Sequence, residues 1–274
     1  MSDAGRYVLF GHPVTHSWSP FIHGLFARQF GHAVDYQLVD VEADDFRKTA
    51  LEFFAGGGRG ANVTVPHKLA AAEVANDLTA RARRAGAVNT LAIRDGARLL
   101  GDNTDGAGLV TDLTANLGVT LRRCNVLILG AGGAVRGVLA PLLAERPGQV
   151  MIANRTVRRA EEIAAQFEDL GTVSAGTFQE ARRGRWDVVL NATSTSLTGD
   201  VVELPGDVIG PETVCYDMAY SRQPTPFQRW AQERGARHSY QGWGMLVEQA
   251  AESYLLWHGV RPATAPVLGA LATL

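Results

Sequence analysis

The stretch that most limits this chain runs from Cys124 to Ala134. CNVLILG is a short, wholly apolar run, and it passes straight into Gly130-Ala131-Gly132-Gly133-Ala134. A fully apolar strand of this length belongs in a sheet covered on both faces. Glycines at its end, before a helical period, let peptide N–H groups approach a pyrophosphate. The G-x-G-x-x-G spacing is interrupted, because Val135 stands in the third glycine's place. A plain tight turn could use the same glycines, so the strand–loop–helix setting carries the reading.

Around this stretch, QVMIANR, WDVVLNAT and TVCYDMAY read as further strands, and TVRRAEEIAAQF reads as a helix. Together they make a doubly wound nucleotide-type domain. Earlier in the chain, YVLFG, DYQLVDV, GANVTV and AVNTLAI read as strands. SPFIHGLFARQF, ADDFRKTALEFF and TARARRAGA read as the helices between them. That alternation predicts a second α/β domain with a mostly parallel sheet, followed by a hairpin turning at Asp95-Gly96. TDGAGLVTDLTANLG reads as one long helix ending at Gly118, and GMLVEQAAESYLLWHG as the last clear helix. The fold class is therefore α/β in two domains, with the boundary near residues 103–108.

Composition excludes several functions. The 274 residues carry a formal net charge of −2, with no basic excess to suit nucleic acid or a membrane surface. No apolar run is long enough to span a bilayer, and the N-terminus has no secretory pattern. Two cysteines, Cys124 and Cys215, in apolar segments read as buried thiols. The expectation is a cytoplasmic protein. His12, His16 and His23 match no zinc spacing, so no metal is expected. Thr193-Ser194-Thr195-Ser196 lack a nucleophile-elbow setting and read as a polar turn or ribose contact.

The end of the second nucleotide-domain strand selects the cofactor. Where an acid would bind a ribose 2′-hydroxyl, the chain has Asn154-Arg155-Thr156, then Arg158 and Arg159. A guanidinium can clamp a 2′-phosphate with paired bonds. NADP is expected over NAD, with one of Arg158 and Arg159 simply solvated.

The first domain holds a polar constellation. Ser19 reads as a helix N-cap with Pro20 at the first helical position, which leaves Ser17 unexplained. Thr64 and Lys68 follow the GANVTV strand at a sheet's carboxyl edge, and Asn89 falls in the next strand. GDNTDG then supplies Asp102 and Asp105. Of the 26 basic residues only Lys48 and Lys68 are lysine. Lysine can give and take a proton where arginine holds its own. A lysine beside an aspartate can protonate the alkoxide that hydride transfer to a carbonyl leaves.

At this point the chain resembles the shikimate dehydrogenases. HSWSPFIH, GANVTVPHK, GAVNTL, GDNTDG, GAGGAVRGV, NRTVRRAEE, NATSTS, CYDMAY and GMLVEQAA follow the family order over nearly the whole length. The resemblance implies reversible NADPH-dependent reduction of 3-dehydroshikimate to shikimate. It implies a substrate domain of residues 1–104 plus 243–274 and a Rossmann-like NADP domain of residues 105–242. Lys68 and Asp105 would be the catalytic pair. Ser17, Ser19 and Tyr220 would hold the carboxylate, and Thr64, Asn89 and Gln249 the ring hydroxyls. Gly130, Ala131, Gly132, Gly133 and Ala134 would cradle the pyrophosphate. Asn154, Arg155, Thr156 and Arg159 would hold the adenosine phosphate, and Met218 and Gly242 would line the nicotinamide. Trp18, Val135, Ala219 and Ala80 depart from the commoner pattern without removing any of these groups. The expected partner is a small molecule, with no nucleic acid or membrane, for a monomer or homodimer. The competing readings are a quinate/shikimate dehydrogenase using NAD and a non-catalytic NADP-binding sensor.

Overall fold

The computed structural model describes residues 4–96, 98–193, 204 and 206–273. The chain divides into two compact units, residues 1–108 with 246–274, and residues 109–245. Its strands are β1 (Gly5–Gly11), β2 (Val34–Asp40), β3 (Gly58–Val63), β4 (Asp77–Leu78), β5 (Thr90–Arg94) and β6 (Arg98–Asp102). The second unit adds β7 (Asn125–Leu129), β8 (Gln149–Ala153), β9 (Val173–Gly176), β10 (Val188–Asn191), β11 (Val214–Asp217) and β12 (His238–Gln241).

In the second unit the six strands are all parallel, in the order β12-β11-β10-β7-β8-β9. The order reverses between β7 and β10, and ligands of doubly wound sheets bind at such a point, beyond the strands' carboxyl ends. The side-chain period of two explains the apolar runs. Val126, Ile128, Val150, Ile152, Val188 and Leu190 enter one core layer, while Leu127, Leu129, Met151, Ala153 and Val189 enter the other. Helices Gly133–Ala144 and Val157–Phe167 bury Val138, Leu142, Ile163 and Phe167 against the first layer.

The long helix read from TDGAGLVTDLTANLG is two pieces. An α-helix, Asp105–Thr111, widens into a π-helical turn at Asp112–Asn116. Asp112 is buried there and accepts from the Tyr216 hydroxyl at 2.6 Å and from Asn116 Nδ2 at 3.0 Å. Burial and the neighbouring Asp112 carboxylate raise the Tyr216 pKa well above that of an ordinary phenol. A Cβ on Gly244 would fall on the Asp112 carboxylate, so that position admits only glycine.

The first unit's sheet runs β2-β1-β3-β5-β6-β4 and is mostly parallel, β4 pairing parallel with β6 and β5 alone opposing its neighbours. Strands β2, β1 and β3 are parallel, but β5 is antiparallel to both β3 and β6. The hairpin imposes this: Asp95 and Gly96 have φ of 43° and 86°, the left-handed geometry of a tight β-turn. Val8, Phe10, Ala61 and Val63 pack against Phe46, Ala50, Ala71 and Val74 on one side. On the other, helix Ser19–Phe30 meets helix Trp243–His258 through Ile22, Phe26, Val247, Ala251 and Tyr254. The C-terminal helices therefore complete the first unit's core. No described helix is long and apolar enough to cross a membrane.

Candidate active site

In the first unit three segments converge on one polar cluster. After β3 the chain turns into helix Lys68–Val74, which makes Lys68 its first residue. His67 anchors this turn from below, with Nε2 bonded to the Val41 carbonyl at 2.8 Å and its ring stacked on Phe46. Asp105 opens helix Asp105–Thr111. Lys68 Nζ donates to Asp105 Oδ2 at 2.5 Å, and the two side chains are only 13% and 6% exposed. A charge pair so shielded persists only where its remaining lone pairs and protons are matched. Asn89 Nδ2 donates to Asp105 Oδ1 at 2.8 Å, and the Asp105 N–H donates to Asn103 Oδ1 at 3.2 Å. Among the described residues Lys68 uses one of its three protons, leaving two to donate.

Asn89 lies just before β5, not within a strand. Its main chain is still tied to Val63 at 2.7 Å and Asp102 at 3.0 Å. Its amide also meets Thr104 Oγ1 at 2.8 Å and Gln249 Oε1 at 3.3 Å. Gln249 and Ser253 stand one helical turn apart on Trp243–His258 and face this cluster together. Gln249 makes its loosest bonds here, 3.3 and 3.4 Å, so it is the member most easily released to another partner. Thr64 is half-buried, and its hydroxyl has no partner among the described residues.

The two acids of GDNTDG part company. Asp102 turns away from Lys68 and takes both arms of Arg81, at 2.7 and 2.6 Å, with the Thr79 hydroxyl at 2.6 Å. Burial alone lifts its pKa, but Arg81, Thr79 and the Asn103 N–H together hold it below the usual carboxylate value. Arg81 also reaches Glu252, and Arg261 joins Glu252 to the buried Glu248. The sequence reading missed this network because ARARRA looks like a solvated helix face.

At the start of helix Ser19–Phe30 the capping expectation fails. Trp18 occupies the cap position, and Ser19 is the first helical residue. Ser17 Oγ accepts the Ser19 N–H at 3.2 Å and donates to Ser19 Oγ at 3.1 Å. Ser17 thus takes the first N–H of the helix, Pro20 has none and the Ile22 N–H is bonded to the Trp18 carbonyl at 3.0 Å, so two hydroxyls and the Phe21 N–H face outward from the helix start. His12 and His23 do not join in a metal site. His12 is exposed and bonded to Asp40, whereas His23 is buried against the Tyr36 ring. No group of three His, Cys, Asp or Glu among the described residues could hold a metal.

In the second unit, β7 delivers Gly130 with φ of 104°, and a Cβ there would meet the Ala192 backbone at 3.2 Å. Gly132 begins helix Gly133–Ala144 with extended backbone, no side-chain cap and open space where a Cβ would sit. Ala131 and Ala134 flank it, half-buried. Val135 points into the core, so its bulk faces away from the loop's open side. At the end of β8, Asn154 Nδ2 bonds the Thr156 carbonyl at 2.9 Å. Arg158 pairs with Glu162, but exposed Arg155 and Arg159 have no ion pair among the described residues. This donor set fits a phosphorylated dinucleotide: uncapped peptide N–H groups for a pyrophosphate and two free guanidiniums for a further phosphate. Met218 donates its N–H to Asn191 at 2.9 Å, and Gly242 abuts the Met218 carbonyl so closely that a Cβ would clash. Tyr220 follows β11 and packs on Trp243 with ring centroids 4.7 Å apart. Ser194, Thr195 and Ser196 lie outside the described residues. Burial pushes the Cys215 thiol up to about 12, so it is no nucleophile.

Three family models match the chain. Residues 9–91 match a shikimate dehydrogenase substrate binding domain, residues 112–200 a shikimate / quinate 5-dehydrogenase, and residues 242–272 a shikimate 5'-dehydrogenase C-terminal domain. A shikimate dehydrogenase (NADP(+)) of Methylococcus capsulatus is 52% identical over 99% of this chain and 97% of its own length. The crystal structure of an Ael1 enzyme from Pseudomonas putida superposes with a TM-score of 0.89 at 43% identity, covering 98% of both chains. Shikimate 5-dehydrogenase from Thermus thermophilus, solved with NADP(H) and shikimate, gives 0.85 at 31% identity, covering 97% of this chain and 98% of that one.

Proposed function

This chain belongs to the shikimate dehydrogenase family, and from that premise we propose that the Lys68–Asp105 pair is its proton-handling centre. The enzyme is an NADP-dependent oxidoreductase that interconverts 3-dehydroshikimate and shikimate, a step of aromatic biosynthesis. When bound, NADP(H) supplies or accepts the hydride. Everything else falls to the side chains.

The observation that carries the reading is the short, shielded bond between Lys68 and Asp105. During reduction Lys68 Nζ donates a proton to the ring oxygen that receives the new charge. In oxidation it takes the proton back. Asp105 Oδ2 fixes the ammonium and keeps a lone pair for a substrate hydroxyl. Thr64, Asn89 and Gln249 supply the ring-hydroxyl contacts. The start of helix Ser19–Phe30, with the Ser17 and Ser19 hydroxyls, suits a carboxylate, and Tyr220 is assigned to the same group. Gly130–Ala134 would bind the pyrophosphate. Asn154, Arg155, Thr156 and Arg159 would bind the adenosine phosphate, and Met218 and Gly242 would line the nicotinamide. Cytoplasmic residence belongs to the proposal too, and two free thiols accord with a reducing compartment.

Lys68→Ala tests the assignment. NADPH consumption on adding 3-dehydroshikimate should fall by about 10³-fold, while NADP binding changes little. Turnover that survives in the variant removes Lys68 from the mechanism. Running shikimate and quinate with NADP and NAD on the parent enzyme then fixes substrate and cofactor preference.

A further inference from the structure

Behind Asp105 the fold buries Asn62, Asn89, Thr90, Thr104 and Ser253, each between 0 and 4% exposed. So many buried polar groups are costly unless their bonds are matched. The main series of their bonds has a direction, set by a peptide N–H and by amide oxygens that can only accept. The Thr104 peptide N–H can only donate, and it does so to Asn89 Oδ1 at 2.8 Å. That turns Asn89 Nδ2 toward Asp105 Oδ1. Thr90 Oγ1 donates to Asn89 Oδ1 at 2.9 Å and has lone pairs left to accept. They accept from Asn62 Nδ2 at 3.2 Å, while Ser253 Oγ lies 2.7 Å away, where either hydroxyl could donate, and also donates to the Gln249 carbonyl at 3.1 Å. Asn62 Nδ2 also donates to Ser253 Oγ at 2.9 Å, and Asn62 Oδ1 accepts from the Tyr36 hydroxyl at 2.8 Å. From Tyr36 through Asn62, Thr90 and Asn89 each donor points toward the Asp105 carboxylate, and Ser253 buttresses Asn62 and Thr90 from the side. Aligned bonds of this kind polarise one another and strengthen at the charged end.

We propose that Asn62, Thr90 and Ser253 are positioning residues that lock the Asn89 amide on Asp105 Oδ1, so that Oδ2 stays aimed at Lys68 during proton transfer. This rests on the reading of Lys68 and Asp105 as the proton-handling pair. The charged neighbours are accounted for. Lys68 is the cation bonded to Asp105, Asp102 is matched by Arg81, and Glu248 and Glu252 are matched by Arg261 and Arg81. His23 stacks on Tyr36 at the far end, and burial pushes its pKa down to about 3, so it adds no charge at neutral pH.

Thr90→Val keeps the side chain's shape and removes the proton given to Asn89. We expect kcat to fall about fivefold with KM for shikimate within about twofold. The acid limb of the kcat–pH profile should rise by about half a pH unit. Thr90→Ser, which restores the hydroxyl, should return both values to those of the parent. Ser253→Ala should move them in the same directions by less, and it decides the matter if Thr90→Val does not fold. A purely structural role lowers Tm and leaves the limb in place. Folded Thr90→Val and Ser253→Ala enzymes with unmoved limb and kcat overturn the proposal. Lys68→Ala in the same assays separates the two ideas. If it stays active, the underlying pair is wrong. If it is inactive while the limb stays put, only the positioning role falls.

Discussion

The two units prepare for chemistry in opposite ways. In the first, the polar side chains have already found one another: Lys68 with Asp105, Asn89 with Thr104, Arg81 with Asp102. In the second, the decisive donors are held in reserve. Helix Gly133–Ala144 starts without a side-chain cap, and Arg155 and Arg159 have no ion pair among the described residues. The contrast separates two demands. A proton moves well only between atoms fixed in advance. A phosphate that must arrive and leave needs donors that no protein carboxylate has claimed.

The comparison breaks first on Arg81. Arg81→Ala strands the buried Asp102 carboxylate, and urea denaturation at neutral pH should show a loss of about 3 kcal/mol. Asp102 titrates below its ordinary value, so its stabilisation is complete above the usual carboxylate range. It fades as pH falls through the lowered value, and the gap between variant and parent should narrow in acid. An unchanged denaturation midpoint would mean that internal pairing does not hold the first unit together. Next in size, Arg155→Ala should weaken NADP by about twentyfold and NAD by less than about twofold, read by fluorescence titration. Equal losses would detach Arg155 from the 2′-phosphate. Smallest is Gly132→Ala. Alanine accepts the extended backbone there and meets no protein atom within 4 Å. Tm should stay within about 1 °C of the parent, while both nucleotides weaken alike by about fivefold. A drop in Tm without loss of affinity would make the loop a structural turn.

What could be read from the sequence follows from how local each signal is. Lys68, Asp105 and Gly130–Ala134 sit at the ends of strands or the starts of helices, so the pattern of elements alone marks them. The doubly wound sheet is legible for the same reason: alternate residues of CNVLILG feed opposite core layers. The Arg81–Asp102 bond was not legible, because its partners lie 21 residues apart and Arg81 sits in an otherwise solvated-looking helix. Ser253 left a fainter trace, four residues after Gln249 on the same helix face. The one strand that opposes the rest of the first sheet, β5, was legible too, because the Asp95-Gly96 turn marks a hairpin in the sequence. The Ser19 cap misled because Ser-Pro fits a cap and first turn by composition, whereas Trp18 takes the cap position.

The pin that orients Asn89 is the peptide N–H of Thr104, not its hydroxyl. Substitution cannot delete a main-chain donor unless the new residue is proline. Over evolutionary drift, then, the handedness of the amide next door is inherited with the backbone itself, whichever side chain stands at 104.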